Sequence, residues 1–285
     1  MIGKTRQKAV ADVEEVFDPE VGRARGVLRR PLSAGNMRHS RRRPAPGLGH
    51  LIAHYWIIHW DLRGCEPHVA ESLPHPNIHL VFEKGSAVVC GVQTHKFSVL
   101  LEGRSRVFGV KFRPGGFRPF YNAPVAKLAD RIVPATRIFG KDLQPLEEIA
   151  LSSARENDKV SAADSFFLAR LPKPDPSIAL ASRLVDHILR EPEIKTVEDL
   201  ARDANMGKRS LQRLFSEYVG ASPKWVIRRY RLHELIEKFN SGEKLDLPQV
   251  ALELGYFDQA HLINDFRPIA GFSPAKYQKL ISKTP

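Results

Sequence analysis

Apolar residues in the last third of the chain recur with a helical period, and the whole pattern occurs twice. The order Leu-x-x-x-Phe, then Gly-x-Ser-Pro, is found over residues 211–223 and again over 262–274, 51 residues later. Leu211, Leu214 and Phe215 fall at i, i+3 and i+4, the spacing of one buried helix face. Since a fixed-period repeat sets the architecture of a region, we expect two copies of one supersecondary unit.

The first copy has the signals of two helices joined by a tight turn. Thr196 and Asp199 form the ends of a capping box that opens a short helix. Asn205 tolerates the left-handed conformation that ends a helix, and Gly207 leads into the next one. We therefore predict a helix-turn-helix over residues 196–217. The second helix presents outward the polar residues Lys208, Arg209, Gln212 and Arg213.

The second copy repeats these signals over residues 246–268. Asp246 is predicted to cap the first helix, Gly255 to take the left-handed position, and Asp258 to cap the second helix. Leu262 and Phe266 are predicted to point inward. The outward residues of this second helix are Gln259, His261 and Asn264.

A longer helix separates the two copies, and a proline-rich linker precedes them. Ser222 and Pro223 are predicted to open the helix, which runs to about Asn240. The linker over residues 171–176 is stiff and offers few side chains for packing. We therefore expect a domain boundary between residues 172 and 173, with little packing across the linker.

Residues 176–280 resemble the DNA-binding domain of the AraC/XylS transcription regulators. The resemblance is carried by Arg209-x-Leu-Gln-Arg-Leu-Phe215, Gly220-x-Ser-Pro223, Gly255-Tyr-Phe-Asp-Gln-Ala-His261 and Gly271-Phe-Ser-Pro-Ala-Lys-Tyr277. It implies that the two outward helices enter successive turns of the DNA major groove, with the seven outward residues as contacts. Asn264 stands where the family often has arginine, and Asp265 is expected to lower the positive potential beside it.

The N-terminal half changes to the two-residue period of strands. Residues 78–82 and 107–112 alternate, and Phe108, Val110 and Phe112 share one face. Helical patterns follow over 125–151 and 162–171. The predicted fold class is α+β: a β-rich domain with helices over residues 1–172, then an all-α domain of two helix-turn-helix units joined by a linker helix over 173–285.

The N-terminal half also resembles an uncharacterised domain that occurs ahead of AraC-type domains. The segments that carry the resemblance are Tyr55-Trp56, Leu73-Pro-His-Pro-Asn-Ile-His-Leu-Val-Phe-Glu83 and Gly109-Val-Lys-Phe-Arg-Pro-Gly-Gly116. It implies a cupin-like barrel with a sensing or dimerisation role.

Charge changes this interpretation little. The chain of 285 residues carries a formal net charge of +12, but residues 176–285 hold 17 Lys and Arg against 14 Asp and Glu. Most of the excess therefore lies outside the repeat, and the repeat supports DNA binding better than composition does. Residues 1–22 are predicted to be mobile. The basic segment from Arg25 to Arg43 is either solvated or a contact for DNA phosphates or an anionic ligand.

Composition also narrows the compartment and the partners. The N-terminus has no apolar signal region, no apolar run approaches bilayer length, and Cys65 and Cys90 do not form a disulfide framework. We expect a cytoplasmic protein with no membrane partner. The expected partner is double-stranded DNA, and RNA polymerase, an unnamed small-molecule effector and a second copy of the chain are further candidates.

Histidines in the N-terminal half raise the alternative of a metalloenzyme. His75, His79 and Glu83 have the residue types of a cupin metal site, but the adjacent His-x-His pair is missing and proline flanks His75 on both sides. We expect no metal, no cofactor and no catalytic residue. The favoured hypothesis is a sequence-specific transcription regulator. Its rivals are a cupin-type metalloenzyme fused to a DNA-binding domain and a packaging protein without sequence preference.

Overall fold

A computed structural model describes residues 14–17, 27–29, 36–243 and 245–281. In these ranges a β-rich N-terminal part is followed by a helical C-terminal part, which confirms the predicted α+β class. No helix in the described ranges is long and apolar enough to cross a membrane.

The described strands form a large and a small sheet. The large sheet has the order β1-β3-β4-β9-β6-β7-β10 and is antiparallel except for the β1–β3 pair. The small sheet is antiparallel with the order β2-β5-β8. The strands are β1 Glu14–Phe17, β2 Val27–Arg29, β3 Asn36–Arg42, β4 Ile52–Asp61, β5 His68–Ser72, β6 His79–Glu83, β7 Ser86–Cys90, β8 Phe97–Leu101, β9 Arg104–Phe112 and β10 Ile132–Pro134.

One face of the large sheet carries the main core. Alternation along the strands places Tyr55, Leu80 and Phe108 on this face, where each is at most 1% exposed. Phe112 continues the face and meets Phe167 edge to face at a centroid distance of 5.5 Å. The helices that follow the sheet in the chain cover this face: α1 Thr136–Phe139, α2 Gln144–Leu151 and α3 Glu156–Leu168.

The opposite face of the large sheet packs against the small sheet. Trp60 and Val107 form a separate apolar cluster with Leu101 of β8. Gly109 is needed beneath it, because a Cβ there would lie 2.0 Å from the Trp56 ring. The two sheets thus form a sandwich, while the cupin-like barrel stays a prediction.

The helical part follows the predicted order closely. Asp175 and Ser222 cap α4 and α7, accepting hydrogen bonds from the backbone amides of Ser177 and Trp225. The inward stripe of α7 is buried as predicted, for example at Leu232. The helices are α4 Pro176–Arg190, α5 Val197–Asp203, α6 Lys208–Leu214, α7 Pro223–Asn240, α8 Leu247–Glu253, α9 Gln259–Ala270 and α10 Pro274–Ile281.

Some local predictions were wrong. Residues 14–17 of the predicted mobile lead-in form β1, and the neighbouring residues of 1–22 lie outside the described ranges. Strand β10 interrupts the predicted helical stretch 125–151, because Ile132 to Pro134 pair with the free edge of β7. Asp246 occupies the N-cap of α8 without a side-chain capping bond.

The basic segment belongs to the sheet where it is described. Arg38 and Arg42 lie on β3, and both pair with Glu156 at the start of α3, at 4.0 Å and 2.8 Å. The Glu156 carboxylate offsets part of the positive charge of this segment. Arg25 lies outside the described residues.

Packing across the 172/173 boundary is extensive, contrary to the expectation. Gly115 N donates to the Tyr218 carbonyl at 3.1 Å, and Arg118 Nε donates to Glu217 at 2.7 Å. Gly220 approaches so closely that a Cβ would lie 2.9 Å from Val125 Cγ1. The linker itself is short of such contacts, but the loops before and after it share one apolar core.

Candidate nucleic-acid interface

A capping box and a left-handed turn residue shape the first helix-turn-helix unit. Thr196 Oγ1 accepts from the Asp199 amide at 3.1 Å, and Asp199 Oδ2 accepts from the Thr196 amide at 2.9 Å, so the predicted capping box is present. Hydrogen bonds led by that from the Thr196 side chain lower the pKa of Asp199. Asn205 adopts φ 49°, the predicted left-handed residue of the turn. The turn then delivers α6, whose N-cap is Gly207.

Helix α6 presents a polar face to solvent. Leu211 is fully buried, whereas Arg209, Gln212 and Arg213 are exposed. Among the described residues, none makes a side-chain hydrogen bond or ion pair with these three. Lys208 is exposed too but is paired with Glu198 of α5, and this hydrogen bond lowers the pKa of Glu198. Arg209, Gln212 and Arg213 are thus free to contact a ligand, whereas Lys208 must first break its ion pair with Glu198.

The second unit repeats this arrangement. Asp258 Oδ1 accepts from the His261 amide at 2.7 Å and caps α9, and Gly255 takes φ 76°, both as predicted. Leu262 is fully buried. The predicted contact residues differ in exposure: His261 and Asn264 are exposed, while Gln259 is half-buried. The His261 ring also packs edge-on against Tyr256, with a centroid distance of 5.2 Å.

Asp265 does not have the role that the sequence suggested. Its side chain is 9% exposed and forms an ion pair with Arg228 of α7. The carboxylate therefore faces the interior of the unit and is neutralised there. The expectation that it lowers the potential of the outer face was wrong, because the residue lies on the inward side of α9 beside Phe266.

Two residues of this region escaped the sequence analysis. Phe257 is 88% exposed immediately before the N-cap of α9, and an aromatic residue in a turn signal gives no warning of such exposure. Arg231 is 6% exposed on the inner side of α7. Its guanidinium donates to the carbonyls of Leu254 and Ile194, both at 2.6 Å. An arginine inside the apolar period of a helix was the available signal for this buried bridge.

The residues of the alternative metal site have other partners. Trp56 Nε1 donates to His79 Nδ1 at 3.2 Å, and Arg229 Nη2 lies 2.9 Å from His75 Nδ1. Burial, reinforced by neighbouring positive charge, lowers the pKa of His79 to about 3 and that of His75 well below its usual value. In the described ranges, no three His, Cys, Asp or Glu side chains are grouped as metal ligands would be.

Family models match both halves of the chain. Residues 200–280 match a helix-turn-helix domain, and residues 40–134 match a domain of unknown function, DUF6597. An uncharacterized HTH-type transcriptional regulator of Haemophilus influenzae is 30% identical over 96 residues. This alignment covers 33% of the chain and 32% of that relative, so the match spans about a third of either protein.

Two solved structures are similar to the chain at low identity. The AraC-type transcriptional regulator from Chromobacterium violaceum is 19% identical, with 36% of this chain and 91% of that chain covered and a TM-score of 0.32. ToxT from Vibrio cholerae is 12% identical, with 75% of this chain and 98% of that chain covered and a TM-score of 0.35.

Proposed function

We propose that the chain is a sequence-specific DNA-binding transcription regulator of the AraC type, because residues 200–280 match a helix-turn-helix domain. The observation that carries the proposal is the repeated unit itself. Each copy ends in a helix, α6 or α9, whose apolar side is buried and whose polar side faces solvent. Residues 173–285 would read DNA, and residues 1–172 would sense an effector or dimerise.

The two outer helices would supply the base contacts. Arginine can bind guanine through two hydrogen bonds, and glutamine or asparagine can do the same with adenine. Arg209, Gln212 and Arg213 of α6 are the proposed readers of one segment. Lys208 would exchange Glu198 for a phosphate. In the second unit the proposed readers are Gln259, His261 and Asn264.

Phe257 adds an apolar contact to the second unit. A phenylalanine exposed at the start of an outer helix suits the methyl group of thymine, which major-groove readers contact with apolar side chains. We therefore propose that the second unit discriminates partly by shape and apolar contact. Its side chains carry less positive charge than those of α6.

Helix α7 would set the distance between the two DNA-reading helices, α6 and α9. Its 18 residues span about 27 Å, somewhat less than one DNA turn of about 34 Å. Such a length suits two helices that enter successive major-groove segments on one side of the duplex. RNA polymerase, a second copy of the chain and an effector are further proposed partners.

Randomised-site selection on the purified whole chain tests the proposal. We expect a two-part consensus, with the double variant Arg209→Ala, Gln212→Ala losing preference in one part and about 10- to 100-fold in affinity. Arg202→Ala is the matched control, because it removes an exposed arginine from α5 rather than α6. Selection without any consensus would support a packaging protein. An unchanged consensus in the double variant would show that α6 does not read bases.

A further inference from the structure

A row of basic side chains crosses the large sheet on the face that packs against the small sheet. Lys111 of β9 is the cross-strand partner of His54 of β4 on one side and of His79 of β6 on the other. Directly paired residues project from the same face of a sheet. The three side chains therefore lie next to one another in the interior of the sandwich.

Helix α7 of the helical part closes this row. It brings Arg229, which is 1% exposed, against the segment between β5 and β6. Arg229 Nε donates to the Pro74 carbonyl at 2.6 Å, and its Nη2 lies 2.9 Å from His75 Nδ1. The guanidinium also stacks on the Tyr230 ring at 4.6 Å.

No carboxylate among the described residues forms a hydrogen bond or ion pair with Lys111 or Arg229. The charged groups around Lys111 are basic: Arg41 of β3, His54 of β4, His79 of β6, His75 of the loop before β6, and Arg229 with His233 on α7. Cys90 of β7 pairs with His79 across the strands, so its thiol lies on the same face. Burial and the basic neighbours lower the pKa of Lys111 to about 7, and burial lowers that of Arg229 to about 10. Buried charge of one sign is costly unless a counter-charge compensates for it.

His79 is oriented as a hydrogen-bond donor toward the row. Nδ1 of His79 accepts from Trp56 Nε1, so its neutral ring carries the proton on Nε2. Arg229 Nη2 lies within reach of both ring nitrogens of His75, 2.9 Å from Nδ1 and 3.3 Å from Nε2. His75, His79 and Lys111 are half-buried.

An apolar surface adjoins the basic groups. Val81 follows His79 on the same face of β6, and Trp56 lies across Gly109 toward His79. Both belong to the apolar cluster between the two sheets. A ligand with one oxyanion and an apolar body would match the polar end and the apolar wall together.

We propose that His54, His75, His79, Lys111 and Arg229 form a binding site for the carboxylate or phosphate group of a small amphipathic molecule. Its oxyanion would accept hydrogen bonds from Lys111 Nζ, the Arg229 guanidinium and the His79 Nε2–H group. Because Arg229 belongs to α7, a bound ligand would link the large sheet to the helix that connects the two helix-turn-helix units. This last link, unlike the site itself, rests on the proposed function.

Titration calorimetry on the whole chain tests the site with three probes: inorganic phosphate, acetate and hexanoate. We expect one-to-one binding that favours hexanoate over acetate, with about one proton taken up at pH 8 because bound Lys111 becomes charged. Lys111→Met should weaken binding about 10- to 100-fold and abolish the proton uptake. Preference for phosphate over both carboxylates would identify a phosphate group as the natural oxyanion.

Lys159→Met is the matched control. Lys159 is also buried, but its ammonium donates to the Ala150 and Ser152 carbonyls on the far side of the main core. This variant should bind the probes as the unaltered chain does, and circular dichroism verifies that both variants are folded. The site is overturned if none of the probes binds at millimolar concentration, or if Lys111→Met binds as tightly as the unaltered chain.

DNA binding distinguishes failure of the site from failure of the proposed function. Selection of a consensus without any probe tests the function alone, whereas calorimetry without DNA tests the site alone. A probe that binds the protein should shift its operator affinity, and Lys111→Met should abolish that shift. Binding of the probe without such a shift would leave the site in place and refute its coupling to α7.

Discussion

Arg231 donates from Nη2 to the carbonyl of Ile194 at 2.6 Å, and this bond joins the linker helix to the segment that leads into the first helix-turn-helix unit. The other terminal nitrogen, Nη1, makes an equal bond to Leu254 in the second unit. One planar guanidinium thus spans both units from the middle of α7. A pair of units held this way presents α6 and α9 in one fixed relation.

Arg231→Lys should therefore uncouple the units while retaining the positive charge. A lysine ammonium lacks the fork that reaches two carbonyls in opposite directions, and a buried carbonyl without a partner costs about 1–3 kcal/mol. We expect a loss of that size in the free energy of unfolding measured with urea. We also expect the affinity for the complete operator to fall by a larger factor than the affinity for either half alone. Exposed Arg267→Lys is the control. Equal stability and affinity in the two variants would contradict a positioning role for Arg231.

Two equivalent glycines of the repeat separate backbone strain from packing across the domain boundary. Gly220 and Gly271 adopt φ 91° and 80°, so alanine costs about 1–2 kcal/mol at either position. At Gly220 the new methyl group would also collide with Val125, whereas at Gly271 it would meet the flexible end of Lys96. We expect Gly220→Ala to lose about 1–3 kcal/mol more in chemical unfolding.

A double variant gives the decisive comparison for this contact. Val125→Ala makes room for the methyl group, so it should recover part of the stability lost in Gly220→Ala and none of that lost in Gly271→Ala. Equal losses at the two glycines, with no recovery, would show that the boundary is looser in solution than the 2.9 Å approach indicates.

Buried histidines should make the protein sensitive to acid. Burial, with neighbouring positive charge, lowers the pKa of His39 to about 4, of His54 to about 2 and of His79 to about 3. Between pH 6.5 and 5 the unfolded chain binds protons at these residues and the folded chain does not. The free energy of unfolding therefore falls as the pH is lowered, each histidine adding up to about 1.4 kcal/mol per pH unit.

Stability curves of single variants measure this contribution. His79→Gln should flatten the loss of stability between pH 6.5 and 5. Parallel curves for His79→Gln and the unaltered chain would mean that His79 titrates normally in the folded protein.

Local signals predicted the helical part well because each element there carries its own start and stop. The capping box at Thr196, the left-handed Asn205 and the buried Leu211 all depend on residues within a turn or two of one another. The period of the repeat then fixed the second copy. The predicted capping bond of Asp246 is absent. The orientation of Asp265 was also predicted wrongly, because its partner on α7, Arg228, lies 37 residues away in the chain.

Nonlocal pairing limited what could be predicted of the N-terminal half. Strand β10 exists because β7 has a free edge, which no periodicity within residues 132–134 reveals. Likewise, Lys111 and Arg229 come together only through the docking of α7 on the sheet. Their separation of more than a hundred residues hides the basic cluster from any reading of sequence windows.

Substitution of Asn264 should change the contact of α9 with DNA from a base-selective contact to an electrostatic one. Asn264 is exposed on α9, and with Asp265 turned inward no acidic side chain adjoins it on that face within the described residues of the helix. Asparagine suits adenine, whereas arginine contacts phosphates or guanine. Asn264→Arg should therefore tighten binding to nonspecific DNA, reduce preference for the native operator and steepen the salt dependence by about one counterion. Salt titrations and randomised-site selection measure these changes.

Gln144→Arg is the control, because it adds the same charge on α2, outside the proposed interface. It should leave the selected sequence unchanged and should change the salt slope less than Asn264→Arg does. If Asn264→Arg selects the same sequence with the same slope as the unaltered chain, then Asn264 faces solvent in the complex and α9 does not enter the groove as proposed.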